Sequence, residues 1–166
     1  MTGAFRLEVL GKQHDREQFS CGVEALDRYF IERVSQDVRR RATACYVALE
    51  KSSNRVIGYY TLAAGGIPLA DMPEELIKRL PRYPSVPVAR LGRLAIDLHF
   101  QGKRLGGALL WDAVTRSLRS EVAVYALVVD AKDEHAESFY RHHGFAAFGA
   151  IHRQLILPLS SFSSKG

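Results

Sequence analysis

Only two cysteines, Cys21 and Cys45, occur in 166 residues. That is too few for a disulfide scaffold, and it makes a reducing cytoplasm the expected location. Neither has a neighbouring His or Asp signature for nucleophilic catalysis, and two isolated cysteines do not make a metal site, so both are read as small core residues. Long apolar runs are equally scarce. VAVYALVV is far too short to span a bilayer and suits a buried strand, so no membrane partner is expected. The opening MTGAFRLEVL does not read as a secretion signal, because no basic segment precedes a long apolar run and Glu8 interrupts it. Internal repeats and a credible linker are missing too. The expectation is one domain over residues 1–160 and a polar tail over 161–166.

Charge imbalance is modest. Lys and Arg number 23 against 18 acidic side chains, a formal charge of +5, which permits a polyanionic partner without requiring one. The cations are unevenly placed. Arg28, Arg33, Arg39, Arg40 and Arg41 fall in one stretch, and Lys78, Arg79, Arg82, Arg90 and Arg93 in another. A charge run is more often a solvated face than a binding site, so composition leaves nucleic-acid binding open.

FRLEVL alternates like a short strand. SCGVEALDRYFIERVSQDVRRR reads as one helix with an irregular apolar stripe of Val23, Leu26, Tyr29 or Phe30, and Val34. TACYVALE and RVIGYYTLA, rich in Val, Tyr and Thr, predict a hairpin around SSN. PEELIKRL fits a short helix with proline at its first position, whereas the three prolines of PRYPSVP argue against a central strand. VARLGRLAID then reads as a strand, KRLGGALLWDAVTRSLR as a helix and EVAVYALVVDA as a buried strand. DEHAESFYRHHGF reads as a helix ending with Gly144 at a left-handed cap. One or two final strands lie in AAFGAIHRQLILPL. The sum is a mixed α/β domain with a central sheet.

Between strand and helix lies QGKRLGG. A glycine-rich bend feeding a helix makes an anion site, because the first helical N–H groups lack partners and the helix dipole adds positive charge. No GKS or GKT follows, which excludes a Walker loop, and the glycine spacing does not fit the dinucleotide fingerprint. Alone, the stretch fits phosphate binding or merely a capped, tightly packed helix.

In its neighbourhood the stretch says more. LGRLAIDLHFQGKRLGGALLWDAV resembles the coenzyme A-binding core of the GCN5-related N-acetyltransferases, and DAKDEHAESFYRHHGF resembles their following helix. FSCGVEALDRYF and VIGYYTLA are similar to the acetyltransferase toxins of bacterial toxin–antitoxin pairs. The resemblance implies a single-domain fold with a central mixed, largely antiparallel sheet flanked by helices, and acetyl-CoA as acetyl donor without a metal. It implies that the main chain of Leu94, Ala95 and Ile96 receives pantetheine, with Gln101 and Gly106 at the outer positions of the family turn. Amides of Gly102, Lys103, Arg104, Leu105, Gly106 and Gly107 would then hold the pyrophosphate. Arg104 replaces the usual middle glycine, and the expectation is a right-handed Arg104 that preserves the turn. Tyr140 matches the tyrosine that serves the departing thiolate; the alternative is an aromatic that only packs.

No carboxylate announces itself as a base. Asp97 and Asp130 sit where capping explains them, and Asp133, Glu134 and Glu137 share one helix. An α-amine titrates near 7.7 to 8.0, well below lysine, so an aminoacyl acceptor could dispense with a base. The resemblance implies acetylation of the α-amine of charged tRNA, which blocks translation, with Arg28, Arg33, Arg39, Arg40, Arg41, Arg90 and Arg93 on its phosphates. It also implies a homodimer and a cognate antitoxin with a ribbon-helix-helix DNA-binding domain. Two alternatives stay open: an N-acetyltransferase of a small amine or protein N-terminus, and a catalytically weak RNA- or antitoxin-binding protein.

Overall fold

The structure, a computed structural model, describes residues 4–162. Of the expected tail, 163–166 lie outside the described residues, and Ser161 closes a 3-10 turn, Leu159–Ser161. Seven strands make one sheet: β1 Phe5–Val9, β2 Ala44–Glu50, β3 Val56–Pro68, β4 Ser85–Ile96, β5 Ala126–Asp130, β6 Ala146–Ala147 and β7 Gln154–Pro158. Their order is β1-β2-β3-β4-β5-β7-β6. β1–β2, β2–β3, β5–β7 and β6–β7 are antiparallel, and β4–β5 is parallel, as a mixed, largely antiparallel sheet requires. The chain forms two compact units, Met1–Ala63 with Leu91–Ala113 and Ala64–Arg90 with Val114–Gly166.

In the first unit the predicted hairpin forms, its connection closed by Asn54 at φ 62, a left-handed position that Asn tolerates. The predicted single helix does not form as one piece. It runs as α1 Glu24–Arg28, a π-helical turn Tyr29–Arg33 and α2 Val34–Arg39. The interruption falls within the irregular apolar stripe, where the adjacent Tyr29 and Phe30 are both buried, with Val34 following. In the wider turn the Val34 N–H donates to the Tyr29 carbonyl, five residues back. Arg16 Nη1 donates to the Phe30 carbonyl of the same turn at 2.6 Å. Phe30 then stacks on Tyr59 at 4.1 Å, with Phe19 edge-on to both rings, at the centre of a core that includes Cys21 and Cys45.

The second unit packs Ile67, Met72, Val86, Val88, Ala126, Val128, Phe148 and Ile156 around the start of β4. Here α3, Glu74–Ile77, starts after Pro73, which sits at the N-cap rather than inside the helix. The expectation against a strand in PRYPSVP fails for Ser85–Pro87, which begin β4. Pro87 lacks only a donor; its carbonyl accepts from the Tyr125 N–H at 2.8 Å. EVAVYALVVDA contributes less strand than expected, since Val122 is 74% exposed and β5 starts at Ala126. α5, Glu134–His142, forms where predicted, with the Asp133 carboxylate accepting from the Ala136 N–H and Gly144 at φ +99.

Candidate active site

β4 is the strand on which the candidate site is built. Its parallel register with β5 runs from Val88–Ala126 to Arg90–Val128. β5 ends at Asp130, two residues later, while β4 continues to Ile96, so Leu94, Ala95 and Ile96 extend past the end of β5. Ala95 is buried and its flanking residues are half-buried. The strand is pinned at Arg93, whose N–H donates to the buried Thr61 Oγ1 at 3.0 Å. Gly92 lies beside that hydroxyl: a Cβ there would sit 2.9 Å from it.

A 3-10 turn, Leu98–Phe100, leads into the glycine bend and then α4, Leu105–Leu118. Gly102 stands at φ +80, and a Cβ on it would meet nothing within 4 Å. The bend therefore opens onto free space at the start of α4, as an amide cradle for phosphate needs. Lys103 Nζ lies 5.5 Å from the Phe100 ring centre, beside this opening. Arg104 corrects the sequence expectation. It adopts φ +65, not a right-handed conformation, so the middle glycine of the family turn marks a left-handed site that this chain fills with arginine. The penalty is roughly 1 to 2 kcal/mol. Arg104→Gly should therefore raise thermal stability and keep acetyl-CoA affinity, whereas Gly106→Val, on the first turn of α4, should weaken it. Calorimetry and melting of both variants check the ordering, and the reverse order would remove the cradle role.

The bend is tied down from behind. Gln101 Nε2 donates to the carbonyls of Cys21 (3.0 Å) and Ile96 (2.9 Å). Asp97, 1% exposed, accepts from the N–H groups of Ser20 and His99 and from Arg55. Burial pushes its carboxyl up, but the two backbone donors, the His99 ring and Arg55 outweigh that and hold it below the usual carboxylate range. Asp97 is thus a structural cap, as its position suggested; Arg55 gave no sequence signal.

Among the sequence-predicted cations, Arg33, Arg39, Arg40 and Arg41 are exposed along the α1–α2 segment, and Arg28 pairs with Glu24 at 2.9 Å. Arg93 joins them: its guanidinium carbon lies 3.5 Å from the ring centre of Tyr29, whose hydroxyl donates to Asp37. Arg90 belongs to the second unit and pairs with Asp130 at 3.6 Å.

Tyr140, on the last turn of α5, is 9% exposed and meets Phe139 and Phe145 edge-on. Burial alone pushes its phenol up to about 12, and among the described residues its hydroxyl has no hydrogen-bond partner. A protonated, unclaimed hydroxyl is what a ligand donor requires. The cysteines differ: burial raises Cys21 to about 11 and Cys45 to about 12, so both thiols stay protonated core groups. No group of three or more His, Cys, Asp or Glu that could hold a metal occurs among the described residues, and none of their helices is long and apolar enough to cross a membrane.

Residues 11–145 match the Acetyltransferase (GNAT) family. The chain belongs to that family. It is accordingly an acyltransferase using acetyl-CoA, and the open Gly102 bend with the free run of β4 fits that donor. A GNAT relative, the tRNA-acetylating toxin of Mycobacterium tuberculosis (strain ATCC 25618 / H37Rv), is 35% identical over 147 residues, 87% of this chain and 86% of the relative. The GNAT fold is shared with AtaT complexed with acetyl-methionyl-tRNAfMet: TM-score 0.86, 30% identity, coverage 95% and 96% of the two chains. A tyrosine-to-phenylalanine mutant of AtaT, bound to the C-terminus of the antitoxin AtaR and to acetyl-CoA, gives TM-score 0.77 at 27% identity, covering 95% of each chain.

Proposed function

We propose that this protein transfers acetyl from acetyl-CoA to the α-amino group of an aminoacyl-tRNA and so inhibits translation. The activity named for the 35% identical relative and the charged-tRNA complex of AtaT support the substrate class. One observation on this chain carries the choice of acceptor: the candidate carboxylates are committed elsewhere. Asp97 caps the turn, Asp133 caps α5, Asp130 pairs with Arg90, and Glu137 pairs with Arg141 and Arg153. Glu134 faces the dipole at the start of α5. A lysine acceptor would need a base to lose its proton near neutrality; an aminoacyl α-amine would not.

Bound acetyl-CoA supplies an acyl group already activated as a thioester. Amides of residues 102–107 hold its phosphates, and the main chain of Leu94, Ala95 and Ile96 aligns its arm. Holding donor and acceptor in register supplies much of the rate, and a fixed N–H of β4 stabilises the charge on the carbonyl oxygen. Tyr140 Oη donates a hydrogen bond to the departing thiolate, and the proton that the amine sheds on attack passes to water. Arg28, Arg33, Arg39, Arg40, Arg41 and Arg93 engage RNA phosphates, while Arg90 stays with Asp130. The working form is a cytoplasmic homodimer, neutralised by an antitoxin whose ribbon-helix-helix domain binds DNA. The complex of AtaT with the C-terminus of AtaR supports an antitoxin partner.

Incubation of the protein with labelled acetyl-CoA and charged total tRNA is expected to give an N-acetyl aminoacyl ester, identified by mass. Label in free amines or protein N-termini with none in tRNA would favour the small-amine acetyltransferase instead.

A further inference from the structure

The RNA-directed cations above leave a second basic stretch unused. Lys78, Arg79 and Arg82 are exposed, and among the described residues they enter no ion pair. By contrast Arg6, Arg28, Arg55, Arg90, Arg141 and Arg153 each hold a carboxylate. The acids of the same segment, Asp71, Glu74 and Glu75, lie at its other end, in the turn before α3 and on the first turn of α3. The segment is therefore polarised along its length.

Next to Arg82 stands Tyr83, 69% exposed, among the most exposed large side chains of the protein. Its backbone is not loose. Pro81 and Pro84 bracket the Arg82–Tyr83 pair, fixing two φ angles and restricting the residue before each proline. The Pro84 carbonyl accepts from the Leu69 N–H at 2.9 Å, and Leu76, Ile77 and Leu80 pack into the core of the second unit. An aromatic ring is thus offered to solvent on a braced ledge beside three unpaired cations.

We propose that Lys78, Arg79, Arg82 and Tyr83 form an RNA-binding ledge, in which Tyr83 stacks on a base while the three cations take phosphate oxygens. The proposal rests on the charged-tRNA reading above and adds a surface to it. A nucleobase needs only a flat π face, and stacking tolerates any base. A peptide needs a groove or a strand edge, and a single ring between two prolines is neither.

Binding of deacylated total tRNA to the full-length protein, followed by fluorescence anisotropy across a salt series, tests this. The triple variant Lys78→Gln, Arg79→Gln, Arg82→Gln is expected to flatten the logarithmic salt slope by about 2 to 3 units, at roughly 0.7 to 0.9 per phosphate contact. Tyr83→Ala should weaken binding about tenfold, within the range measured for loss of one base stack, while Tyr83→Phe, which keeps the ring, should bind like the parent. Unchanged thermal melting and acetyl-CoA affinity exclude a folding defect. An unaltered slope with unaltered affinity overturns the ledge. So does loss of polyglutamate binding with tRNA binding intact, which would assign the surface to an acidic peptide. Parent protein that binds tRNA but acetylates none would defeat the acceptor assignment and leave the ledge standing; parent protein that binds no tRNA defeats both.

Discussion

Replacing Tyr140 with phenylalanine should give a folded protein that still binds acetyl-CoA and transfers acetyl roughly 10² to 10⁴-fold more slowly, the usual range for a lost general acid. The fold should survive because the hydroxyl makes no hydrogen bond within the described residues, and the ring contacts with Phe139 and Phe145 do not depend on it. The chemistry should not, because in the proposed mechanism that hydroxyl donates to the thiolate as it leaves. Burial holds the phenol at about 12, so it remains protonated throughout the working range. The thiol it serves is far more acidic, near 8.5 for an ordinary thiol, so the thiolate leaves readily and the phenol assists by donating a hydrogen bond as charge develops. The pH profile should therefore rise with deprotonation of the acceptor amine and show no fall from Tyr140 below about pH 11. Single-turnover transfer at saturating acceptor is the measurement. Equal rates for both proteins would reduce Tyr140 to packing.

The largest effect on stability should come from Asp97→Ala. One buried carboxylate serves Ser20, His99 and Arg55, joining the loop before α1 to the turn before α4. Without it the N–H groups of Ser20 and His99 lose their acceptor, at about 1 to 3 kcal/mol for each donor left unsatisfied. We expect a net loss of about 2 to 4 kcal/mol, allowing for water reaching part of the site. Asp97→Asn keeps an acceptor oxygen and should lose less. The difference between the parent and the Asp97→Asn variant also has a defined pH dependence. The folded carboxyl lies below its ordinary value of 3.8, so its stabilisation is complete above that value. It is lost as pH falls through the lowered folded value. Denaturant titrations of parent and variants at neutral and strongly acidic pH will show whether the gap closes. A constant gap would mean that the charge of Asp97 contributes nothing.

Local sequence carried the elements whose signals are local. The strand, glycine bend and helix around residues 94–107 and the left-handed Gly144 all stand where their residue types placed them. Arg104 misled because an arginine carries no mark of the left-handed backbone that a glycine advertises. Pro87 misled because a proline is silent as a donor but not as an acceptor. What holds the bend in place was invisible for another reason: Gln101 meets a carbonyl 80 positions away, and Arg55 meets Asp97 across 42. Such partners are chosen by the folded chain, and no window of neighbouring residues contains both. Tyr140 was legible as a family position, whereas its unclaimed hydroxyl belongs to the packing around it.

The π-helical turn at Tyr29–Arg33 has a further consequence for charge. Each residue of a regular helix advances the side chains by about 100°. A turn that absorbs one extra residue resets the phase of everything after it. Deleting a single residue there would restore an ordinary helix and leave Arg39 and Arg40 facing as they do, whereas the same residues wound as a regular helix would turn them by about that angle relative to Arg28. The turn works as an angular offset between two cationic segments: composition supplies the arginines, and one surplus residue in the backbone decides the direction in which half of them point.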